Sequence, residues 1–142
     1  MFTKIVVGTD GSETAGSAVA LAVELAKESD ATLHLVTAFK PSAGVAGGGL
    51  AAGSPDSGEA FSQIAAEHVL DKIAGELSGV NVEVHAVSGA PAAAILKAAD
   101  DVGADLIVVG SKGMQGTRRI IGSVPNSVAH GSNCHVLIAK TQ

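Results

Sequence analysis

Hydrophobic residues occur along the chain in two kinds of pattern: short unbroken runs and longer stretches with helical spacing. The runs are rich in Val, Ile and Leu, which is typical of strands covered on both faces of a sheet. They predict five strands, at Lys4–Thr9, Thr32–Phe39, Val80–Val87, Ala104–Gly110 and Cys134–Lys140. Apolar residues spaced i, i+3, i+4 predict four helices, one from Ser12 to near Asp30 and the others at Gly58–Ser78, Pro91–Val102 and Val124–His130. In the second helix the predicted apolar stripe is Phe61, Ile64, Ala65, Val69, Ile73 and Leu77.

Strict alternation of strands and helices predicts the fold class. It favours an open five-stranded parallel sheet with helices on both faces, a three-layer α/β/α fold of Rossmann-like type. Helices lie on both faces only if the winding reverses once, and ligands of such sheets bind where the two strands at the reversal end. The 142 residues are predicted to form a single domain. Residues 41–57, which are rich in glycine, are expected to form a flexible loop.

Composition excludes several classes of protein. A content of 46% apolar and 16% charged residues is that of a globular chain rather than a disordered one. A net charge of −5 and an aromatic content of 2% count against nucleic-acid binding. The single cysteine, Cys134, excludes an internal disulfide. With no signal-like start and no apolar stretch long enough for a membrane span, we expect a cytoplasmic protein without a membrane partner.

The segment after the fourth strand is the strongest candidate for chemistry. Residues 106–142 carry four basic and no acidic residues, which indicates a local anion site in an acidic protein. Glycines at Gly110, Gly113 and Gly122 let backbone N–H groups approach an anion, and Lys112 adds charge. Ser123 is suited to cap the following helix, whose N-terminus favours anions. The pattern predicts a phosphate-binding loop, with a flexible turn and a capped helix as the alternative.

A second candidate is Asp10, at the end of the first strand. A carboxylate there would accept a hydrogen bond from a ribose hydroxyl or hold a Mg²⁺ ion on a phosphate. Capping the first helix or shaping the turn is an equally good interpretation. The five histidines are scattered and no cysteine pair exists, so we expect no metal site. Walker and nucleophile-elbow motifs are absent from the sequence, and no catalytic residue is predicted.

The chain resembles the universal stress protein (UspA) family along essentially its whole length. The resemblance is carried by Ile5–Thr14, Ala104–Gly113, Gly122–Val128 and Val136–Ile138. These blocks are similar to the family's first β-α unit, its fourth strand with the glycine loop, and its last helix and strand. Nucleotide-binding members carry G-x2-G-x9-G-[ST], whereas eight residues separate Gly113 from Gly122 here. The sequence departs from the family's spacing by one residue.

The resemblance implies an adenine nucleotide alpha hydrolase-like fold that binds ATP, with Mg²⁺ on its phosphates, or cyclic AMP as the less favoured ligand. The implied contacts are Gly8, Thr9, Asp10 and Ala38 for the adenosine, and Gly110, Gly113, Gly122, Ser123 and Val124 for the phosphates, with Lys112 added for its charge. It also implies a homodimer formed through the last strand, residues 134–140. We therefore expect an ATP-dependent regulatory module of the stress response rather than an enzyme. A slow ATPase and a nucleotide-free dimeric interaction protein are the alternatives.

Overall fold

The computed structural model describes residues 1–40, 62–111 and 124–141, so the predicted loop at 41–57 lies outside the described residues. The elements follow one another as β1 (Lys4–Gly8), α1 (Glu13–Ser29), β2 (Thr32–Phe39), α2 (Gln63–Glu76), β3 (Asn81–Ser88), α3 (Pro91–Val102), β4 (Leu106–Gly110), α4 (Val124–Gly131) and β5 (His135–Ala139). All strand pairs are parallel, in the order β3-β2-β1-β4-β5. The predicted open α/β sheet is confirmed.

The core consists of two apolar layers, one on each face of the sheet. On one face, Leu33 and Leu35 of β2 pack with residues of α1 and with Leu70 of α2. On the other face, Val36 packs with residues of α3 and with Val128 of α4. Because successive side chains of a strand point to opposite faces, the unbroken apolar runs supply both layers. Among the described helices, none is long and apolar enough to span a membrane.

Short-range signals set the ends of α1 and α3. Ser12 caps α1, since its Oγ accepts a 3.1 Å hydrogen bond from the N–H of Ala15. Asp30 ends the same helix with φ at 59°. Gly103, with φ at 72°, ends α3 in the same left-handed conformation. The predicted bounds of these helices are confirmed.

Helix α2 corrects the prediction in two respects. It begins at Gln63, because the Oγ of Ser62 caps it through a 3.1 Å hydrogen bond from Ala65, and it ends at Glu76. The predicted helical residues 58–61, which include Phe61, lie outside the described residues. Ile64 belongs to the predicted apolar stripe, but 78% of its surface is exposed. The buried positions are Ala66 and Leu70, so the buried face is rotated from the predicted one.

Strands β4 and β5 begin later than predicted, because the backbone groups just before them have other partners. The N–H of Ala104 donates to the carbonyl of Ala99 at the end of α3 (2.9 Å), and β4 begins only at Leu106. The N–H of Cys134 donates to the Oγ of Ser132 (2.9 Å), and β5 begins at His135. Strand β3 is displaced by one residue toward the C-terminus.

Candidate functional site

The strand order reverses between β1 and β4, and a cleft opens where these two strands end. In the sheet, β1 lies between β2, which follows it in the chain, and β4. The cleft is lined by Gly8, Thr14, Ala15, Ile95, Val109, Gly110 and Val124. Three predicted site residues from three elements, namely Gly8, Gly110 and Val124, therefore lie around one cleft. This is the location at which open α/β sheets bind ligands.

Gly8 allows the close approach of α3 to the end of β1. A Cβ atom at this position would lie 2.5 Å from Cδ1 of Ile95 and 3.0 Å from its Cγ1. Any larger residue would therefore displace Ile95, which itself lines the cleft. The glycine is explained by packing at the site, independently of any ligand.

The turn after β1 is held by buried hydrogen bonds. The N–H of Thr9 extends the sheet by donating to the carbonyl of Val36 (2.9 Å). The Oγ1 of Thr37 donates to the carbonyl of Thr9 (2.8 Å), and the side chains of both threonines are buried. The Oγ1 of Thr9 in turn accepts from the N–H of Gly11 (3.0 Å). Thr37 is not predicted from the sequence, because its contribution depends on the register of β2 beside β1.

Asp10 shapes this turn, which was one of its two interpretations. Its Oδ1 accepts a 2.9 Å hydrogen bond from the N–H of Ser12, the residue that caps α1. Such a turn is typical of aspartate before a helix. The side chain is half-buried, and within the described residues only Oδ1 receives a hydrogen bond. The second carboxylate oxygen thus lies at the carboxyl end of β1 as an acceptor.

The remaining predicted site residues are Ala38 and four residues of the segment between β4 and α4. Ala38 is half-buried near the end of β2, where it packs with the apolar layer of α3, and it does not line the cleft. The four loop residues, Lys112, Gly113, Gly122 and Ser123, lie outside the described residues.

The point at which the chain leaves β4 is fixed by the C-terminal segment. The N–H of Ser111 donates to the carbonyl of Ala139 (2.8 Å), and its Oγ accepts from the N–H of Thr141 (3.0 Å). A Cβ atom at Gly110 would lie 3.1 Å from Cγ2 of Thr141. Ser111 and Thr141 are not predicted as partners from the sequence, because no short motif connects residues 30 positions apart.

Two histidines that were expected to be scattered lie together on the sheet, which corrects that expectation. The Nδ1 of His34 lies 2.9 Å from the Nε2 of His85 and 3.7 Å from Oε1 of Glu83. Burial, and after it the proximity of His85, lower the pKa of His34 below its ordinary value, while Glu83 acts in the opposite direction. The sequence signal was Glu83 and His85 two residues apart on a strand, but only the register of β2 shows that His34 joins them.

Comparison with known proteins gives a consistent result along the chain. Residues 1–140 match the model of the universal stress protein family. Universal stress protein YxiE of Bacillus subtilis is 32% identical, over 99% of this chain and 100% of that protein. Universal stress protein MJ0531 of Methanocaldococcus jannaschii is 35% identical, over 99% of this chain and 83% of that protein. A solved structure of a universal stress protein in complex with cAMP is 33% identical and covers 99% of this chain and 98% of its own, with a TM-score of 0.70.

Proposed function

Because the chain belongs to the universal stress protein family, we propose that it binds an adenine nucleotide between β1 and β4 and acts as a nucleotide-dependent regulatory module. ATP, with Mg²⁺ on its phosphates, is the proposed ligand. The observation that carries the proposal is the convergence of Gly8, Gly110 and Val124 on one cleft at the reversal of strand order. The cAMP complex of a 33% identical universal stress protein supports the nucleotide class.

The phosphates are assigned to the glycine-rich segment that follows β4. Gly113, Gly122 and Ser123 would present backbone N–H groups, and Lys112 would contribute a full charge. Val124, the first residue of α4, lines the cleft, so the N-terminal end of that helix borders it. A helix N-terminus is a favourable environment for an anion, which supports phosphate binding on this side.

The adenosine is assigned to the ends of β1 and β2, with Gly8, Thr9 and Ala38 as its surroundings. Asp10 is the proposed partner of the ribose. Its Oδ1 is engaged by the N–H of Ser12, so the ribose hydroxyl would donate to Oδ2. The hydrogen bond that Thr9 accepts from Thr37 and the one that it donates to Val36 hold the turn in place before a ligand arrives, which reduces the entropy lost on binding.

A regulatory role is proposed in preference to catalysis. Phosphoryl transfer requires a metal clamp and a group that positions the attacking nucleophile. None of the described residues that line the cleft is acidic, and Asp10 already uses one oxygen in the turn. Slow ATP hydrolysis is the enzymatic alternative, and it predicts accumulation of ADP.

Cyclic AMP is the second candidate ligand. It is favoured by the bound ligand of the 33% identical structure. Cyclic AMP carries a single phosphate, so it would need a smaller part of the glycine-rich segment than ATP. The sequence spacing favours a different alternative, the nucleotide-free interaction protein, since eight residues separate Gly113 from Gly122 where nine are typical of nucleotide-binding members.

Calorimetric titration of nucleotide-stripped protein tests the proposal. ATP with Mg²⁺, cyclic AMP and GTP are titrated in parallel, and chromatography after incubation reports any ADP. We expect one saturable ATP site per chain, at least tenfold weaker GTP binding and no ADP. At an ATP concentration 100 times Kd, the free energy of unfolding should rise by about 2.7 kcal/mol. Unchanged thermal unfolding with both ATP and cyclic AMP would contradict the proposal and favour a nucleotide-free interaction protein.

A homodimer through β5 is the proposed assembly. Strand β5 lies at one edge of the sheet, and its residue Ile138 is 48% exposed. An unpaired edge that carries an exposed apolar side chain tends to pair with another strand. A second copy of the chain would cover both the edge and Ile138.

A further inference from the structure

Three potential metal ligands lie side by side on β2 and its edge neighbour β3. The register places His34 opposite Glu83, and Val36 opposite His85. His34 lies between Leu33 and Leu35, which pack on the face of α1, so it projects to the face of α3. Glu83 and His85 lie two residues apart on β3 and share that face with Val87, which packs with the apolar layer of α3.

We propose that His34, Glu83 and His85 form a binding site for a divalent transition metal ion, with Zn²⁺ as the preferred ion, that joins β3 to β2. One ligand atom from each of the three residues lies within 4.8 Å of the others. Two imidazoles and one carboxylate are a ligand set that Zn²⁺ favours over Mg²⁺ or Ca²⁺, which prefer oxygen ligands. The fourth position would be taken by water, since the side chain of Glu83 is 62% exposed.

Two of the three separations, those from His34, are close to what tetrahedral coordination requires. With Zn–N bonds of about 2.0–2.1 Å, two ligand atoms of a tetrahedral site lie about 3.3 Å apart. The Nδ1 of His34 lies 2.9 Å from Nε2 of His85 and 3.7 Å from Oε1 of Glu83, one distance below that value and one above it. Because Glu83 is exposed and His85 is half-buried, rotation of their side chains would bring both distances to the required value.

The side chain of His34 is only 5% exposed, and the ammonium of Lys4 belongs to its electrostatic surroundings. The Nζ of Lys4 donates to the carbonyl of Val102 (3.1 Å). Coordination through Nδ1 leaves the proton on Nε2, which is buried and has no partner in the part of the chain that the structure describes. A metal-bound histidine usually donates its other ring N–H to a partner, and loss of that hydrogen bond costs about 10–100-fold in metal affinity. We therefore expect binding in the micromolar range.

The test uses the full chain without an affinity tag, freed of metal by a chelator and studied without nucleotide. Zn²⁺ is titrated calorimetrically with Mg²⁺ as the control, and Co²⁺ serves as a spectroscopic probe. We expect one Zn²⁺ per chain, no Mg²⁺ binding, and a visible Co²⁺ spectrum typical of tetrahedral nitrogen and oxygen ligands. The absence of saturable Zn²⁺ binding would overturn the proposal. A sulfur-to-cobalt charge-transfer band would also overturn it, because it would assign the metal to Cys134. Neither result would bear on the proposed nucleotide site.

Variants locate the site. His85→Gln and Glu83→Gln change residues that are at least partly accessible, and His68→Gln is the matched control because His68 is exposed on α2, outside the cluster. We expect the first two variants to bind Zn²⁺ at least tenfold more weakly and the control to bind like the parent. Thermal unfolding in chelator verifies that each variant is folded. Parent-like Zn²⁺ affinity in both His85→Gln and Glu83→Gln would overturn the proposal.

Discussion

The hydroxyl of Thr37 donates a 2.8 Å hydrogen bond to the backbone carbonyl of Thr9, and neither residue is more than 2% exposed. Thr37 belongs to β2, whereas Thr9 is the first residue after β1. A buried carbonyl that loses its donor is costly, so this bond fixes the position of the turn that carries Asp10. The geometry of the proposed ribose partner therefore depends on a residue of the neighbouring strand.

Replacing Thr37 by Val tests this dependence. Val has a similar shape but removes the donor, so we expect a loss of about 1 kcal/mol in the free energy of unfolding. Nucleotide affinity should fall several-fold, because the turn at Thr9 is less well held. Thr37→Ser keeps the hydroxyl and is the matched control for affinity. Denaturant unfolding and calorimetry measure the two effects, and equal affinity in the Val and Ser variants would refute the link between the bond and the site.

Replacing Gly8 by Ala separates packing from ligand space. The new methyl group would lie 2.5 Å from Cδ1 of Ile95, so we expect a destabilisation of about 1–3 kcal/mol and weaker nucleotide binding. Adding Ile95→Val removes the Cδ1 atom and should restore part of the stability. The methyl group at position 8 remains beside the cleft in the double variant, so nucleotide affinity should stay low.

The control for Gly8 is Gly16, where a Cβ would have no neighbour within 4 Å. Gly16→Ala lies inside α1 and should stabilise the protein by up to about 1 kcal/mol without changing affinity. Parent-like nucleotide affinity in the Gly8→Ala, Ile95→Val double variant would place the ligand elsewhere.

Local sequence patterns predict more of the fold than of the site. Continuous apolar runs predict buried parallel strands, and Ser12 and Gly103 mark helix ends by chemistry that acts within a few residues. Ile64 shows where periodicity is insufficient. It fits the apolar stripe of α2, yet it is exposed because the sheet contacts a face centred on Ala66 and Leu70.

The arrangement of the site depends on which strands become neighbours. Gly8 and Gly110 were predicted as site residues, and the reversal of strand order explains why they share a cleft. The hydrogen bond from Thr37 and the pairing of His34 with His85 have no such signal, because they depend on the register between strands. Register is a property of pairing, which a single sequence does not show.

The two functions of Asp10 are separable by a pair of substitutions. Asp10→Asn keeps an oxygen that accepts from the N–H of Ser12, whereas Asp10→Ala removes it and should cost about 1 kcal/mol of stability. We expect both variants to bind ATP about tenfold more weakly, since both lose the carboxylate proposed to contact the ribose. Binding of tripolyphosphate, which has no ribose, should be unchanged in both. Calorimetry measures these affinities. A parent-like ATP affinity in Asp10→Asn would show that Asp10 shapes the turn but does not contact the ribose.

Asp105 predicts a dependence of stability on pH. Its carboxylate accepts from the N–H and the hydroxyl of Thr3 (2.9 and 3.0 Å) and from the N–H of Lys4 (3.1 Å). Partial burial acts to raise the pKa of Asp105, but these hydrogen bonds outweigh it and hold the pKa below its ordinary value. A lowered pKa means that the stabilisation is present above the ordinary value and is lost as the pH falls through the value in the folded protein.

Asp105→Asn should therefore lower the free energy of unfolding by about 1 kcal/mol at pH 7. The difference from the parent should shrink as the pH is lowered through the acidic range in which Asp105 takes up its proton. Asp101→Asn is the matched control, since within the described residues Asp101 forms an exposed i, i+4 ion pair with Lys97 and no other contact of this kind. Urea unfolding across this pH range measures both variants. A difference between Asp105→Asn and the parent that does not change with pH would show that the carboxylate charge is unimportant.

The last prediction concerns the homodimer, and the two edges of the sheet provide its control. Ile138 on β5 and Val84 on β3 are the apolar residues of the edge strands with large exposure, 48% and 39%. A lysine at either position reaches solvent, so neither Ile138→Lys nor Val84→Lys should change the fold. Lysine on an edge strand opposes pairing with another chain. We expect the parent and Val84→Lys to be dimers at micromolar concentration by light scattering, and Ile138→Lys to be a monomer with an unchanged circular dichroism spectrum. A monomeric parent would rule out the dimer, and a monomer formed only by Val84→Lys would assign the interface to β3.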